Sequence, residues 1–278
     1  MERNSYSYIQ MNTSTYLLHA CDEVAIQIRR KAKAKGQLEN LLSDQYDAKF
    51  HPEYIFDLEY ERIELNGEMI GLNLVFINQL AAVLEGTLRT LICEIMQIDS
   101  GKIGELSISK KSDEEYSSIC RAYSIAKKYK EDVEFKGGWD NLKRQYKEVF
   151  DKNIDTVLDK EKSAGLNSIF TLRNVAAHGT AIITPKEKLE DGSEADYPFK
   201  WQRKLQGLSV YVKKEFDLDL LDALQHPSFS YRFTELVKNF IAEFRKETVF
   251  PVNSQALFNN LENYSFGYKN NFEFPKEN

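Results

Sequence analysis

Apolar residues recur along most of this sequence three and four positions apart, which is the period of an amphipathic helix. The glycine pair Gly137-Gly138 interrupts the pattern, and Pro251 ends it. The pattern predicts a helix that starts near residue 14 and further helices over residues 72–96, 115–130, 139–150, 160–178, 214–225 and 229–246.

Two stretches alternate apolar and polar residues instead, which is the period of a β-strand. Residues 54–65 alternate in this way before Asn66-Gly67, a dipeptide typical of hairpin turns. Residues 208–212 alternate as well and predict a return strand. The sequence therefore predicts a mainly all-α fold, a helical bundle with a small β or extended insertion at about residues 181–212.

The same patterns predict three segments. Residues 1–70 form an N-terminal helical arm with a connecting segment, and residues 71–250 form a helical domain that carries the insertion. Residues 251–278 form a tail that is rich in asparagine and aromatic residues and has little periodicity. Its composition leaves three alternatives open: packing on the surface, binding to a partner, or disorder.

Charge and composition argue against several classes of protein function. The net charge of −6 argues against broad binding of polyanions, but it leaves room for a local basic site. The three cysteines are far apart and form no CxxC pair, and no metal-binding or nucleotide-binding motif is present, so we expect no metal and no cofactor. Residues 1–20 lack the apolar run of a secretory signal, and polar residues interrupt the run 72–96, so we expect a cytoplasmic protein without a membrane span.

The main chemical candidate closes the predicted helix over residues 160–178. Asn174 and His178 lie four positions apart on one helical face, and the long side chain of Arg173 can reach across to them. Arginine can hold a phosphate with two donors, and imidazole exchanges protons near neutral pH. Gly179 follows as a typical residue after a helix end. Together these residues predict a phosphate clamp, a proton-transfer group and an orienting amide.

Such a set is sufficient to cleave RNA without a metal, because the 2′-hydroxyl of RNA supplies the nucleophile. It is not sufficient for DNA, which lacks that hydroxyl. In-line cleavage also needs a base and an acid on opposite sides of the phosphate, and one helix end supplies only one copy. A two-fold homodimer that joins two such helix ends would supply both.

A structural alternative applies to the same residues. His178 could simply cap a buried helix, and Arg173 could belong to a structural ion pair. Glu85 falls close to the apolar face of the helix over residues 72–96, where a carboxylate needs a partner. Arg89, one turn further on, is the nearest partner for Glu85, and Arg173 is the alternative.

The run Arg173-Asn174-Val175-Ala176-Ala177-His178-Gly179 resembles the signature of the HEPN superfamily. Members are helical bundles that carry Arg, a polar residue and then His on a late core helix. Many are metal-independent endoribonucleases whose two motifs meet in one cleft of a dimer, and they recur in toxin–antitoxin, abortive-infection and antiviral systems of prokaryotes. The resemblance implies catalytic roles for Arg173, Asn174 and His178, RNA as substrate, and a cognate antitoxin or regulatory protein as a further partner.

Two other hypotheses remain open beside the ribonuclease. One is a non-catalytic HEPN-like helical module that binds a partner protein or a nucleotide in a defence or toxin–antitoxin system. The other is a substrate of a nucleotidyl-transferring antitoxin, for which Tyr197 is a nearby tyrosine.

Aromatic and basic residues also alternate shortly after the motif. Such a strip can stack bases and hold phosphates, although an exposed amphipathic turn has the same pattern. The substrate-binding candidates in this strip are Lys200, Trp201, Arg203 and Lys204.

Overall fold

The computed structural model describes residues 13–48, 52–95, 113–178, 199–247 and 252–268. The prediction of an all-α helical bundle is confirmed, since these residues form helices and no strand. The helices are α1 (Thr13–Ala48), α2 (Pro52–Ile95), α3 (Asp113–Phe135), α4 (Trp139–Phe150), α5 (Lys160–His178), α6 (Phe199–Phe216), α7 (Leu220–Leu224), α8 (Phe229–Glu247) and α9 (Val252–Asn263), with a short 3₁₀ turn at Ile154–Thr156.

The described residues belong to two compact units. Unit 1 comprises those within Met1–Val83, Glu161–Lys238 and Tyr264–Asn278, and unit 2 those within Leu84–Lys160 and Asn239–Asn263. The predicted division of the sequence at residues 70 and 250 stays a prediction.

The predicted strand or hairpin over residues 54–65 is wrong. These residues and Asn66-Gly67 lie inside α2, a continuous helix of 44 residues. Leu58 and Leu65 are buried in one cluster together with Leu38 and Leu42 of α1. Burial of this apolar row against α1 stabilises the helix and overrides the local preference of Asn-Gly for a turn.

The predicted return strand at Leu208, Val210 and Val212 is also wrong, because these residues lie in α6. Leu208 and Val212 are buried one helical turn apart, whereas Val210 is exposed on the other side. Residues 181–198 of the predicted insertion lie outside the described residues.

The predicted helix over residues 214–225 is interrupted in the structure. Helix α6 ends at Phe216, and Asp217 adopts a left-handed conformation with φ of 54°. Its N–H donates to the carbonyl of Lys213 at 2.9 Å, which closes the helix as a C-terminal cap. The short helix α7 follows at Leu220–Leu224.

The C-terminal segment packs into the protein. Residues 252–263 form α9, in which Phe258 and Leu261 are buried. The following residues belong to unit 1, where Phe266 and Tyr268 are buried and Tyr264 donates to a carboxylate oxygen of Asp22. Of the three alternatives for the tail, packing is therefore observed as far as residue 268.

A close approach of three helices fixes the position of α5 within unit 1. Gly165 of α5 is buried, and a Cβ atom built there would lie 2.6 Å from Leu236 of α8 and 2.6 Å from Tyr211 of α6. Only glycine fits this crossing without displacement of its neighbours. The motif at the far end of α5 is thus carried by a firmly packed helix.

Candidate functional site

Helix α5 leaves the core at its C-terminal end, and the candidate motif lies on this exit. Leu166, Ile169, Phe170 and Leu172 are buried along its length. Apolar residues on several sides of a helix are typical of a buried core helix, and the observed burial agrees with that expectation.

Exposure is greatest at the last two residues of α5. Leu172 and Val175 are buried, Arg173 and Asn174 are half-buried, and Ala177 and His178 are exposed. The imidazole is therefore open to solvent, whereas the guanidinium and the amide are partly held by the protein. The predicted proton-transfer group is thus more exposed than the two residues predicted to act with it.

Arg173 and Asn174 are joined directly. The guanidinium Nη1 of Arg173 donates to the side-chain oxygen of Asn174 at 3.1 Å. The bond restricts both side chains, because a guanidinium offers a planar fork of donors in fixed directions. The predicted reach of the Arg173 side chain to Asn174 is therefore observed, and the orienting role of Asn174 stays a prediction.

His178 is the last residue of α5, and the helix is continuous from Asn174 to His178. The two residues therefore lie one turn apart on the same side, as predicted. The last carbonyls of a helix have no partner within it, which favours a cation or a proton donor at this position. This arrangement can place a proton-transfer group beside a bound phosphate.

Glu85 pairs with Arg89, the partner that the sequence favoured. One carboxylate oxygen accepts from Arg89 at 2.7 Å and from the backbone N–H of Gly138 at 3.1 Å. Arg89 also donates to the backbone carbonyl of Val133. Glu85 thus fixes the turn between α3 and α4 in unit 2, and the alternative pairing with Arg173 stays a prediction.

The four substrate-binding candidates Lys200, Trp201, Arg203 and Lys204 lie in the first turns of α6. The backbone there is helical, so the expectation that these residues belong to an extended insertion is wrong. Their side chains lie outside the described residues, and their role in binding stays a prediction.

Two further features of the described residues bear on chemistry: a buried thiol and the arrangement of the metal-ligating side chains. Burial raises the pKa of the Cys21 thiol to about 12, which keeps it protonated and unreactive. No cluster of three or more His, Cys, Asp or Glu side chains in the described part of the chain is arranged to hold a metal ion.

One described helix, the stretch Glu53–Cys93 of α2, is long and apolar enough to cross a membrane by length and composition alone. A core helix meets the same two criteria, and the second half of α2 contains many fully buried residues. The expectation that this run does not span a membrane stays a prediction.

The sequence matches no protein-family model, no curated protein and no solved structure at a significant level. The resemblance to the HEPN superfamily therefore rests on the motif and on its position at the end of a core helix.

Proposed function

We propose that this chain is a metal-independent endoribonuclease that acts as a homodimer in the cytoplasm. The observation that supports the proposal is the end of α5, where the bonded pair of Arg173 and Asn174 and the exposed His178 lie within two helical turns. In this proposal Arg173 is the phosphate clamp and His178 is the proton-transfer group, both within the last two turns of the same helix.

The proposed reaction is attack of the ribose 2′-oxygen on the adjacent phosphorus. One His178 accepts the proton of the 2′-hydroxyl as the new P–O bond forms, and the guanidinium of Arg173 stabilises the added negative charge on the phosphate oxygens. The bond from phosphorus to the 5′-oxygen then breaks, and a second His178 donates a proton to that leaving oxygen. The products are a 2′,3′-cyclic phosphate and a 5′-hydroxyl.

The second His178 comes from the other chain of the dimer. A two-fold axis near the end of α5 would bring two copies of the motif to opposite sides of one phosphate. Exposure of His178 is consistent with this role, because a second chain can reach it without unfolding of the helix. Within the HEPN resemblance, the biological role that we propose is a toxin or antiviral effector.

The test is cleavage of single-stranded RNA by the purified protein in excess EDTA, with analysis of the product ends. We expect 2′,3′-cyclic phosphate ends from the wild type. His178→Ala and Arg173→Ala should each lower the cleavage rate by about 10²–10⁴-fold, the range typical of loss of acid–base or charge-stabilising groups.

The matched controls are His19→Ala and Arg232→Ala, which remove an exposed histidine and an exposed arginine elsewhere in unit 1. Both should cleave at the wild-type rate, and all four variants should retain the helical circular dichroism of the wild type. Cleavage by His178→Ala at the wild-type rate would show that the mechanism is wrong. Binding of RNA without any cleavage by the wild type would favour the non-catalytic module.

A further inference from the structure

The N-terminal half of α2 exposes large apolar side chains to solvent. Phe56 is 71% exposed, Tyr60 57% and Ile63 64%. These three residues begin a row on one side of the helix, which we call the outer seam. The outer seam consists of Phe56, Tyr60, Ile63, Gly67, Ile70 and Leu74.

The residues of the outer seam are spaced alternately four and three positions apart. This spacing is the heptad pattern by which one helix packs along another. The row spans 18 intervals, or roughly 27 Å at the rise of an α-helix. Its next member, Ile77, is fully buried, so the same row runs from an exposed end into the core.

The outer seam is not the surface by which α2 packs on α1. Leu58 and Leu65 are buried with Leu38 and Leu42 of α1, and they lie on the opposite side of α2. The hairpin of α1 and α2 therefore has its own core, which does not include the exposed members of the seam. Packing among the described residues does not explain why the exposed members of the seam are apolar.

Gly67 in the middle of the seam points to an external helix. It lies deep inside α2, where glycine is unfavourable, and a Cβ atom built there would meet nothing within 4 Å. No neighbour among the residues that the structure describes requires a glycine at this position. A glycine on a helical seam lets the backbone of another helix approach closely.

The charged residues beside the outer seam indicate which kind of helix would bind there. Asp57, Glu59 and Glu64 occupy the positions that flank a heptad seam and would face the charged positions of a partner. Of these three, Glu59 already pairs with Arg62 of the same helix at 2.6 Å, so Asp57 and Glu64 carry most of the acidic character of the flanks. A second copy of this chain would bring acidic flanks against acidic flanks, in either parallel or antiparallel orientation, whereas a basic helix would complement them.

We propose that the outer seam is the docking site for an amphipathic helix of a partner protein, with apolar residues along its heptad seam and lysine or arginine on its flanks. The site is separate from the end of α5, and the proposal does not depend on ribonuclease activity. Failure of one proposal therefore leaves the other standing.

The test uses two synthetic 28-residue helices as probes. Both carry leucine along the heptad seam, and one has lysine on the flanks where the other has glutamate. Binding to the full chain is measured by fluorescence anisotropy at low and at physiological salt. We expect the lysine-flanked helix to bind, and the glutamate-flanked helix to bind at least about tenfold more weakly.

Substitutions in the outer seam test whether the lysine-flanked helix binds there. Ile63→Ser should weaken binding of the lysine-flanked helix by at least about tenfold, because it removes an apolar contact in the seam. Gly67→Lys should do the same without loss of fold, since it extends into open space. The matched control is Val210→Ser on α6, because Val210 is as exposed as Ile63, at 64%.

Three results would overturn the proposal. The first is no binding of the lysine-flanked helix, and the second is equal binding of both probes. The third is a loss with Val210→Ser as large as that with Ile63→Ser. A sedimentation experiment adds a further outcome: if Ile63→Ser converts a dimer to a monomer, the occupant is a second copy, and a separate basic partner is wrong.

Discussion

Two polar groups on apolar helices, Glu85 of α2 and the motif at the end of α5, differ in what surrounds them. Glu85 is only 7% exposed, and its carboxylate is held by Arg89 and by the N–H of Gly138. The motif on α5 is half-buried at Arg173 and exposed at His178.

The comparison distinguishes the structural role of Glu85 from the chemical role that we propose for the motif on α5. A buried charge in an apolar helix is tolerated when hydrogen bonds hold it, and those bonds also fix the chain around it. A polar group at an exposed helix end contributes less to stability and remains within reach of a substrate. We therefore expect substitutions at the two places to affect different measurements.

The largest expected effect on stability is that of Glu85→Ala. It leaves Arg89 and the N–H of Gly138 without their acceptor, and breaking a buried ion pair in this way typically costs about 3–5 kcal/mol. Urea unfolding monitored by circular dichroism measures the free energy of unfolding. Glu243→Ala, which removes the exposed partner of Lys246, should cost about 0–1 kcal/mol. Equal losses for the two variants would contradict the structural role of Glu85.

A smaller loss is expected for Asn73→Ala, which removes a neutral buried group from the same helix. The Asn73 amide nitrogen donates to the carbonyl of Leu224 at 2.8 Å and to that of His226 at 3.3 Å, and its oxygen accepts from Ser230. Loss of these bonds leaves buried partners unsatisfied, at a cost of about 2–3 kcal/mol. The control Asn78→Ala removes an exposed amide from α2 and should change the free energy of unfolding by less than about 0.5 kcal/mol.

The smallest change in stability is expected for Asn174→Ala, about 0.5–1 kcal/mol, because the residue is only half-buried and makes one bond to Arg173. The rate of RNA cleavage should nevertheless fall by about 10–100-fold, because the guanidinium loses the group that orients it. Gln206→Ala, a half-buried amide on α6, is the control for loss of an amide. An unchanged cleavage rate for Asn174→Ala would remove this residue from the proposed site.

The sequence predicted α4, α5 and α8 closely because each of these helices has apolar residues at helical spacing and a clear signal next to one of its ends. Gly137-Gly138 precedes α4, and Pro227 precedes α8. Such local signals are sufficient to predict a helix whose apolar residues recur at helical spacing.

The two strand predictions are wrong because apolar residues lie on opposite sides of one helix in each segment. Phe56 and Tyr60 belong to the outer seam and Leu58 to the buried row, so apolar residues recur every second position, as in a strand. Val210 stands opposite Leu208 and Val212 in the same way. A heptad count over residues 56–74 would have found the outer seam.

The motif was found in the sequence because all of its residues lie within one helix. The bond from Gly138 to Glu85 joins residues 53 positions apart, and such a contact depends on how the chain packs. In the proposed dimer, the position of the second motif depends on a second chain, which no pattern within one sequence specifies.

The most direct test of the composite site is a mixed dimer of one wild-type chain and one His178→Ala chain. The two chains are co-expressed with different tags, the mixed dimer is purified by both tags, and RNA cleavage is measured in excess EDTA. If each phosphate needs His178 from both chains, the mixed dimer should cleave at least about 100-fold more slowly than the wild-type dimer. A mixed dimer that retains about half of the wild-type rate would show that each chain holds a complete site, and it would contradict the account.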